Sequence, residues 1–121
     1  MKIKTSELTG AAINWAVAKC EGLCEGDFAW YYDRRDTFKY SIDWSQGGPI
    51  IEREGMHVDC LRVADHYRPA IWEAWPYATG TKHIMQGPTP LIAAMRCFVA
   101  SKLGDEVDVP SDIYCQPTPN T

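Results

Sequence analysis

A short glycine-rich segment ending at Pro49 holds the side chains best suited to bind a ligand: Asp43, Trp44, Gln46, Gly47 and Gly48. The two glycines allow backbone N–H groups to come close to an anion or a planar ligand, and the tryptophan offers a stacking face. The segment matches neither the phosphate-binding loop that ends in Lys-Ser or Lys-Thr nor the dinucleotide fingerprint with three spaced glycines. A tight turn whose tryptophan packs into the core is the alternative interpretation.

Three residues farther along the chain are candidates for the same pocket: Arg53, Thr89 and Arg96. Arg53 follows the glycines closely. Thr89 caps the start of a C-terminal helix, and exposed N–H groups at such a start attract anions. Arg96 lies in the middle of that helix, so it either extends its stem past an apolar stripe or reaches a carboxylate or ligand. We predict that these eight residues form one site for a nucleotide-like small molecule.

Catalytic and metal-binding patterns are weaker. A small hydrolase would require Asp43, Glu52, His57 and Arg96 to converge in one cleft. The three histidines accompany no Gly-x-Ser-x-Gly nucleophile motif. The five cysteines form no set with the spacing of a structural zinc site, and their odd number argues against a disulfide framework. We therefore expect no metal and no cofactor, and the sequence favours a non-enzymatic protein.

Aromatic residues suggest a second kind of surface. Trp72 and Trp75 are three residues apart, so on a strand they face opposite sides of a sheet, and an exposed tryptophan is typical of an interface. These two residues are candidates for binding a host protein. The aromatic content is also compatible with a homo-oligomer.

Composition limits the class of protein. The chain has 121 residues, of which 45% are hydrophobic, and a formal net charge of −4. This length suits one domain, predicted over residues 1–110, followed by a proline-rich tail at 111–121. The acidic balance argues against general nucleic-acid binding, which requires a basic surface. The sequence contains no run of about 18 apolar residues and no signal peptide pattern, so we expect a cytoplasmic protein.

The order of elements predicts an α+β fold. An alanine-rich helix follows a short edge strand at 2–4, and a hairpin is expected over 28–40. Two helical turns are predicted, with a break or kink between them at the glycines before Pro49, and Gly55 closes the second. Strands are expected at 56–63, 70–77 and 82–85, with a turn at 79–80. The C-terminal helix runs from Thr89 to Gly104, and an edge strand follows at 105–109.

Three sequence blocks, at 5–22, 43–55 and 87–107, resemble the NinX-like family of small proteins of tailed phages and prophages. The resemblance implies a phage accessory protein in the bacterial cytosol and carries over no catalytic residue. A looser similarity, in the order of helix, strand and helix, is to phage α-β-α sandwich domains. The fold expected is a single α+β domain with a small antiparallel sheet covered by helices. The leading functional hypothesis is a non-enzymatic binding module that counters host defence by sequestering a nucleotide-type ligand. An inhibitor that binds a host protein and a small hydrolase are the alternatives.

Overall fold

The computed structural model describes residues 1–23, 34–77 and 82–114, and its elements alternate between helices and short strands. In chain order they are β1 (Lys2–Lys4), a 3-10 turn (Thr5–Glu7), α1 (Gly10–Cys20), a second 3-10 turn (Arg35–Thr37), α2 (Trp44–Glu54), β2 (His57–Arg62), β3 (Ile71–Trp75), β4 (Met85–Gly87), α3 (Pro90–Leu103), β5 (Glu106–Asp108) and α4 (Ser111–Tyr114). This arrangement confirms the predicted α+β class.

The strands form two small antiparallel sheets. One pairs β1 with β5, with Ile3 opposite Val107, so both predicted edge strands are present and pair with each other. The other has the order β2-β3-β4. The third strand, predicted at 82–85, begins at Met85 instead. The backbone at His83 has a φ of 64°, which is incompatible with an extended strand at that position.

Helix α3 lies at the centre of the fold and contacts α1, α2 and all three strands of the larger sheet. Thr89 caps its start by accepting a hydrogen bond from the Ile92 N–H at 3.1 Å, and Pro90 occupies its first turn. Gly104, with a φ of 89°, follows its last residue. Most of its side chains are buried, since it is apolar around much of its circumference. The predicted helix and both of its ends are confirmed.

Helix α2 is continuous, so the predicted break at its glycines is wrong. It begins after Asp43 and ends at Gly55, whose φ of 62° gives the expected left-handed cap. Pro49 lies inside the helix and removes one backbone donor. Tertiary packing compensates for this loss, because Gly47 is buried against Leu91 of α3 and Ile50 is also buried.

Several predictions concern segments at the margins of the described residues. The hairpin at 28–40 lies partly outside them, and the described end of this segment forms the 3-10 turn at Arg35–Thr37. The turn at 79–80 lies wholly outside. In the predicted tail, residues 111–114 form the helical turn α4, in which Ile113 is buried. The boundary at residue 110 stays a prediction. No helix in the described part of the chain is long and apolar enough to cross a membrane.

Candidate functional site

A cleft of about 600 Å³ lies along the edge strand β4 of the larger sheet, beside the end of the β2–β3 connection, the turn that leads into α3 and the 3-10 turn after β1. We call it the Arg96 cleft. Its polar lining residues are Ser6, Glu73, Gln86 and Arg96. Its apolar walls include Pro69, Ile71, Ile84 and Pro88. Small-molecule sites in proteins combine apolar walls with a few polar groups in this way, and this volume lies within their usual range.

Arg96 extends from the middle of α3 into this cleft and is half-buried. Its Nε donates to the Leu8 carbonyl oxygen at 2.8 Å, and its Nη1 donates to the Gln86 carbonyl oxygen at 2.7 Å. Burial lowers the pKa of Arg96 from its ordinary value, although an arginine stays protonated. No carboxylate among the described residues lies within ion-pair distance of it. The guanidinium is therefore fixed by neutral carbonyl groups, and its charge has no protein counter-ion in the described part of the chain.

Gln86 connects the arginine to an acidic residue. Glu73 on β3 lies opposite Gln86 on β4. The Gln86 side chain donates from Nε2 to Glu73 Oε2 at 3.3 Å, while its main-chain oxygen accepts from Arg96. The cleft thus presents a cation and a carboxylate at the two ends of one glutamine.

Gly87 holds β4 close to α3 on the wall of this cleft. A Cβ atom at this position would lie 2.8 Å from the Ala93 nitrogen and 2.9 Å from Ile92 Cγ2, both on α3. Real Cβ atoms do not approach backbone that closely, so the glycine permits the contact. The close approach brings the Gln86 carbonyl within reach of Arg96, which lies less than one helical turn beyond Ala93.

The residues predicted around the glycine-rich segment mostly organise the start of α2. Asp43 Oδ1 accepts from the Ser45 N–H at 2.9 Å and from the Ser45 hydroxyl at 2.7 Å, and these bonds lower the pKa of Asp43. Gln46 accepts from the Lys39 N–H at 2.8 Å and donates to the Thr37 carbonyl oxygen at 2.9 Å. The Trp44 side chain is 55% exposed. This end of α2 is therefore held by an N-cap and by a side-chain brace to the preceding turn.

Arg53, at the other end of α2, is engaged by two carboxylates. Its Nη1 and Nη2 donate to Glu21 at 3.0 and 2.6 Å, and its Nε donates to Glu54 at 3.0 Å. These partners raise the pKa of Arg53. The guanidinium carbon also lies 5.7 Å from the centre of the Phe98 ring. All three guanidinium nitrogens thus take part in a network that ties α1 to α2.

Two of the eight predicted residues, Gly47 and Arg96, meet different sides of α3. Gly47 meets the side that bears Leu91 and Met95. Consecutive residues of a helix project about 100° apart, so Arg96 leaves α3 well around from Met95. Thr89 caps the helix start. Of the eight residues, Arg96 lines the cleft, whereas Gly47 packs directly onto α3 as part of the core.

The two candidate tryptophans lie on opposite faces of β3, because they are an odd number of residues apart. Trp72 packs against the core. Trp75 stacks on the exposed His57 of β2, with ring centroids 5.2 Å apart and ring planes within 7°. Of these two tryptophans, Trp75 is therefore the one on the solvent-facing side of the sheet.

Three polar residues of the cleft were not found by sequence reasoning: Ser6, Glu73 and Gln86. Glu73 is two residues from Trp75, so both lie on the same face of β3. The alternation of side chains along a strand could have indicated this position. Nothing local marks Gln86, since its part in the site depends on a main-chain oxygen. Among the described residues, no three histidine, cysteine, aspartate or glutamate side chains gather to hold a metal ion.

The fold and the cleft together define a small α+β protein with an arginine-bearing pocket beside its central helix. The family model described as Bacteriophage P22, NinX matches residues 4–102, and the chain belongs to this family. The resemblance found in the three sequence blocks is thereby confirmed. No curated protein shows significant similarity to the chain.

Proposed function

We propose that this phage protein is a non-enzymatic binding module that takes a small nucleotide-type anion into the Arg96 cleft. The observation that carries the proposal is the half-buried guanidinium of Arg96, which opens on the cleft and lacks a carboxylate partner among the described residues.

Removing the charge of Arg96 from water costs free energy. A partly desolvated cation is stabilised when an anion joins it, and a guanidinium binds phosphate through paired N–H donors. The carbonyl oxygens of Leu8 and Gln86 orient Arg96 without neutralising it. Pro69, Ile71 and Pro88 give the cleft an apolar lining beside this charge. The cleft thus favours a ligand with one anionic group and an apolar or planar body.

In the cytoplasm of an infected bacterium, such a protein would act by sequestering a nucleotide signal of host defence. The family assignment supports the phage setting. The hydrolase alternative receives no support from geometry: no hydrogen bond or ion pair joins any two of Asp43, Glu52, His57 and Arg96 in the described structure. A binding role requires only the cleft.

Thermal shift and calorimetry with mononucleotides and cyclic nucleotides test this proposal. We expect at least one nucleotide to raise the Tm of the wild-type protein. Arg96→Met should weaken its binding by about tenfold or more, because a hydrogen bond to a charged group contributes about 1.5–3 kcal/mol. Lys102→Met is the matched control, since Lys102 is a cation on the same helix that pairs with Glu54 at 3.3 Å outside the cleft.

Arg96→Met also loses two hydrogen bonds within the protein, so its folding must be verified by urea unfolding before titration. Arg96→Lys provides a second variant, which keeps the charge and loses the paired donors; we expect intermediate affinity. A wild-type protein that responds to no nucleotide would contradict the proposal, as would equal affinities of Arg96→Met and Lys102→Met.

The solvent face of the larger sheet favours a second candidate function, which is binding to a host protein. The stacked pair of His57 and Trp75 offers rigid aromatic area on that face. Affinity purification from host lysate with Trp75→Ala tests it, and Tyr67→Ala is the control because Tyr67 is 94% exposed in the β2–β3 connection. Loss of one defined host protein with Trp75→Ala alone would support this function. The proposal would be contradicted if both variants retained the same host proteins. It would also be contradicted if Trp75→Ala disrupted a homodimer and changed no host protein.

A further inference from the structure

Glu73 lines the same cleft as Arg96, and from their arrangement we infer that the ligand is a guanine nucleotide, with its phosphate at Arg96 and its base edge at Glu73. This inference rests on the proposed function and narrows it to one base.

The charges of Arg96 and Glu73 share the cleft without pairing. Both residues line it, yet their side chains are not within ion-pair distance of each other. Gln86 lies between them, with its main-chain oxygen on Arg96 at 2.7 Å and its Nε2 on Glu73 at 3.3 Å. A ligand that spans this glutamine meets a donor at one end and an acceptor at the other.

Glu73 can accept more hydrogen bonds than the protein supplies within the described structure. Its Oε2 accepts from Gln86, and its Oε1 has no hydrogen-bond partner within the described structure. A carboxylate only accepts hydrogen bonds, and its two oxygens together have about four acceptor positions. The Glu73 carboxylate can therefore take two further N–H donors that lie side by side.

The nucleobases differ in the donors and acceptors that they present to a carboxylate. Guanine carries two adjacent donors, its N1–H and its exocyclic amino group, which match the two oxygens of a carboxylate. Adenine and cytosine each set a ring-nitrogen acceptor beside their amino group, and uracil flanks its single N–H with carbonyl oxygens. Those acceptors would face a carboxylate without a shared proton, which is an unfavourable contact in a partly desolvated site. The carboxylate selects guanine on this basis.

The experiment is calorimetry with GMP, IMP, AMP, CMP, UMP and inorganic phosphate. We expect GMP to bind at least about tenfold more tightly than AMP, CMP or UMP, because a site that hydrogen-bonds a donor rejects the analogue without it. IMP keeps the N1–H and lacks the amino group, so its affinity should be intermediate. Inorganic phosphate should bind most weakly.

Two variants assign the preference to Glu73. Glu73→Gln should reduce GMP affinity by about tenfold and leave phosphate affinity within about twofold, because only the carboxylate is changed. Asp59→Asn is the matched control, because this substitution also removes one carboxylate charge. Asp59 lies opposite Glu73 on β2 and does not line the cleft. It should bind GMP as the wild type does.

The outcomes separate this inference from the proposed function. Binding of nucleotides with no base preference, or with a preference for another base, would overturn the guanine assignment and leave the anion site in place. The same holds if Glu73→Gln and Asp59→Asn bind GMP equally well. If no nucleotide binds the wild-type protein, both statements fail.

Discussion

Gly47 and Gly48 are neighbours in α2, but the space around them differs. A Cβ atom at position 47 would lie 2.8 Å from the Tyr40 carbonyl oxygen and 2.5 Å from Leu91 Cδ2. At position 48 the nearest atom would be Trp44 Cε3 at 3.9 Å, which is ordinary contact. One glycine is required by packing, whereas the other only reduces helix propensity.

We predict that Gly47→Ala and Gly48→Ala change stability in opposite directions. Gly47→Ala should lower the free energy of unfolding by about 1–3 kcal/mol, because overpacking displaces the backbone at Tyr40. Gly48→Ala should raise it by about 0.5–1 kcal/mol through helix propensity. Urea unfolding of the two variants measures both effects. Stabilisation by Gly47→Ala would mean that α2 does not lie against Tyr40 and Leu91 as described.

These glycines also illustrate what a sequence can indicate at the level of single residues. Adjacent glycines permit a close approach to the backbone, but the pattern is the same for a ligand and for a helix. Here Leu91 comes close to Gly47. The nature of that neighbour depends on a residue more than forty positions away, which local reasoning could not identify.

The elements of the fold are predictable where their ends are encoded locally. Thr89, Pro90 and Gly104 fix α3 because each acts on backbone groups within its own turn. Helix α2 and strand β4 were less predictable, since each depends on contacts from elsewhere. Packing of Gly47 on α3 keeps α2 continuous through Pro49. The positive φ of His83 prevents β4 from beginning before that residue.

The Asp43 cap makes the stability of α2 dependent on pH. Hydrogen bonds from Ser45 lower the pKa of Asp43 in the folded protein below its ordinary value of about 3.9. The carboxylate therefore stabilises the fold above that ordinary value, and this contribution is lost as the pH falls through the lowered pKa. Asn can also cap a helix but does not titrate.

We therefore predict that Asp43→Asn is less sensitive to acid than the wild-type protein. Between pH 6 and pH 3, the free energy of unfolding should fall less for the variant, although other carboxylates with lowered pKa, such as Asp65, continue to contribute. Urea unfolding at a series of pH values gives the comparison. Equal losses in the two proteins would show that the Asp43 cap has no part in acid sensitivity.

At the scale of the whole molecule, the Arg96 cleft is assembled from distant parts of the chain. Arg96 donates to Leu8, 88 positions away, and to Gln86, 10 positions away. The sequence indicates an unusual arginine in an apolar helix, and this observation does lead to the cleft. It cannot supply the partners, because both are main-chain oxygens and any residue type provides one.

Thr5 joins the N-terminal segment to the end of α3, so a substitution at this position measures how much that contact stabilises the whole fold. Its side chain is buried, its hydroxyl donates to the Gly104 carbonyl oxygen at 2.6 Å, and its N–H donates to the Asp105 carbonyl oxygen at 2.8 Å. Valine has nearly the same shape but no hydroxyl, so Thr5→Val removes the first bond and leaves the second. The Gly104 oxygen then lacks that partner in a partly buried position.

We predict that Thr5→Val lowers the free energy of unfolding by about 1–3 kcal/mol, which is the cost of leaving a buried polar group unsatisfied. Thr9→Val is the matched control: Thr9 occupies the N-cap of α1, is exposed and makes no capping hydrogen bond through its side chain, so we expect a change within about 0.5 kcal/mol. Urea unfolding of both variants at neutral pH measures the difference. If the two substitutions have equal effects, the Thr5 hydroxyl does not hold the N-terminal segment to α3, and that junction depends on its remaining contacts, among them the Thr5 N–H bond to Asp105 and the pairing of β1 with β5.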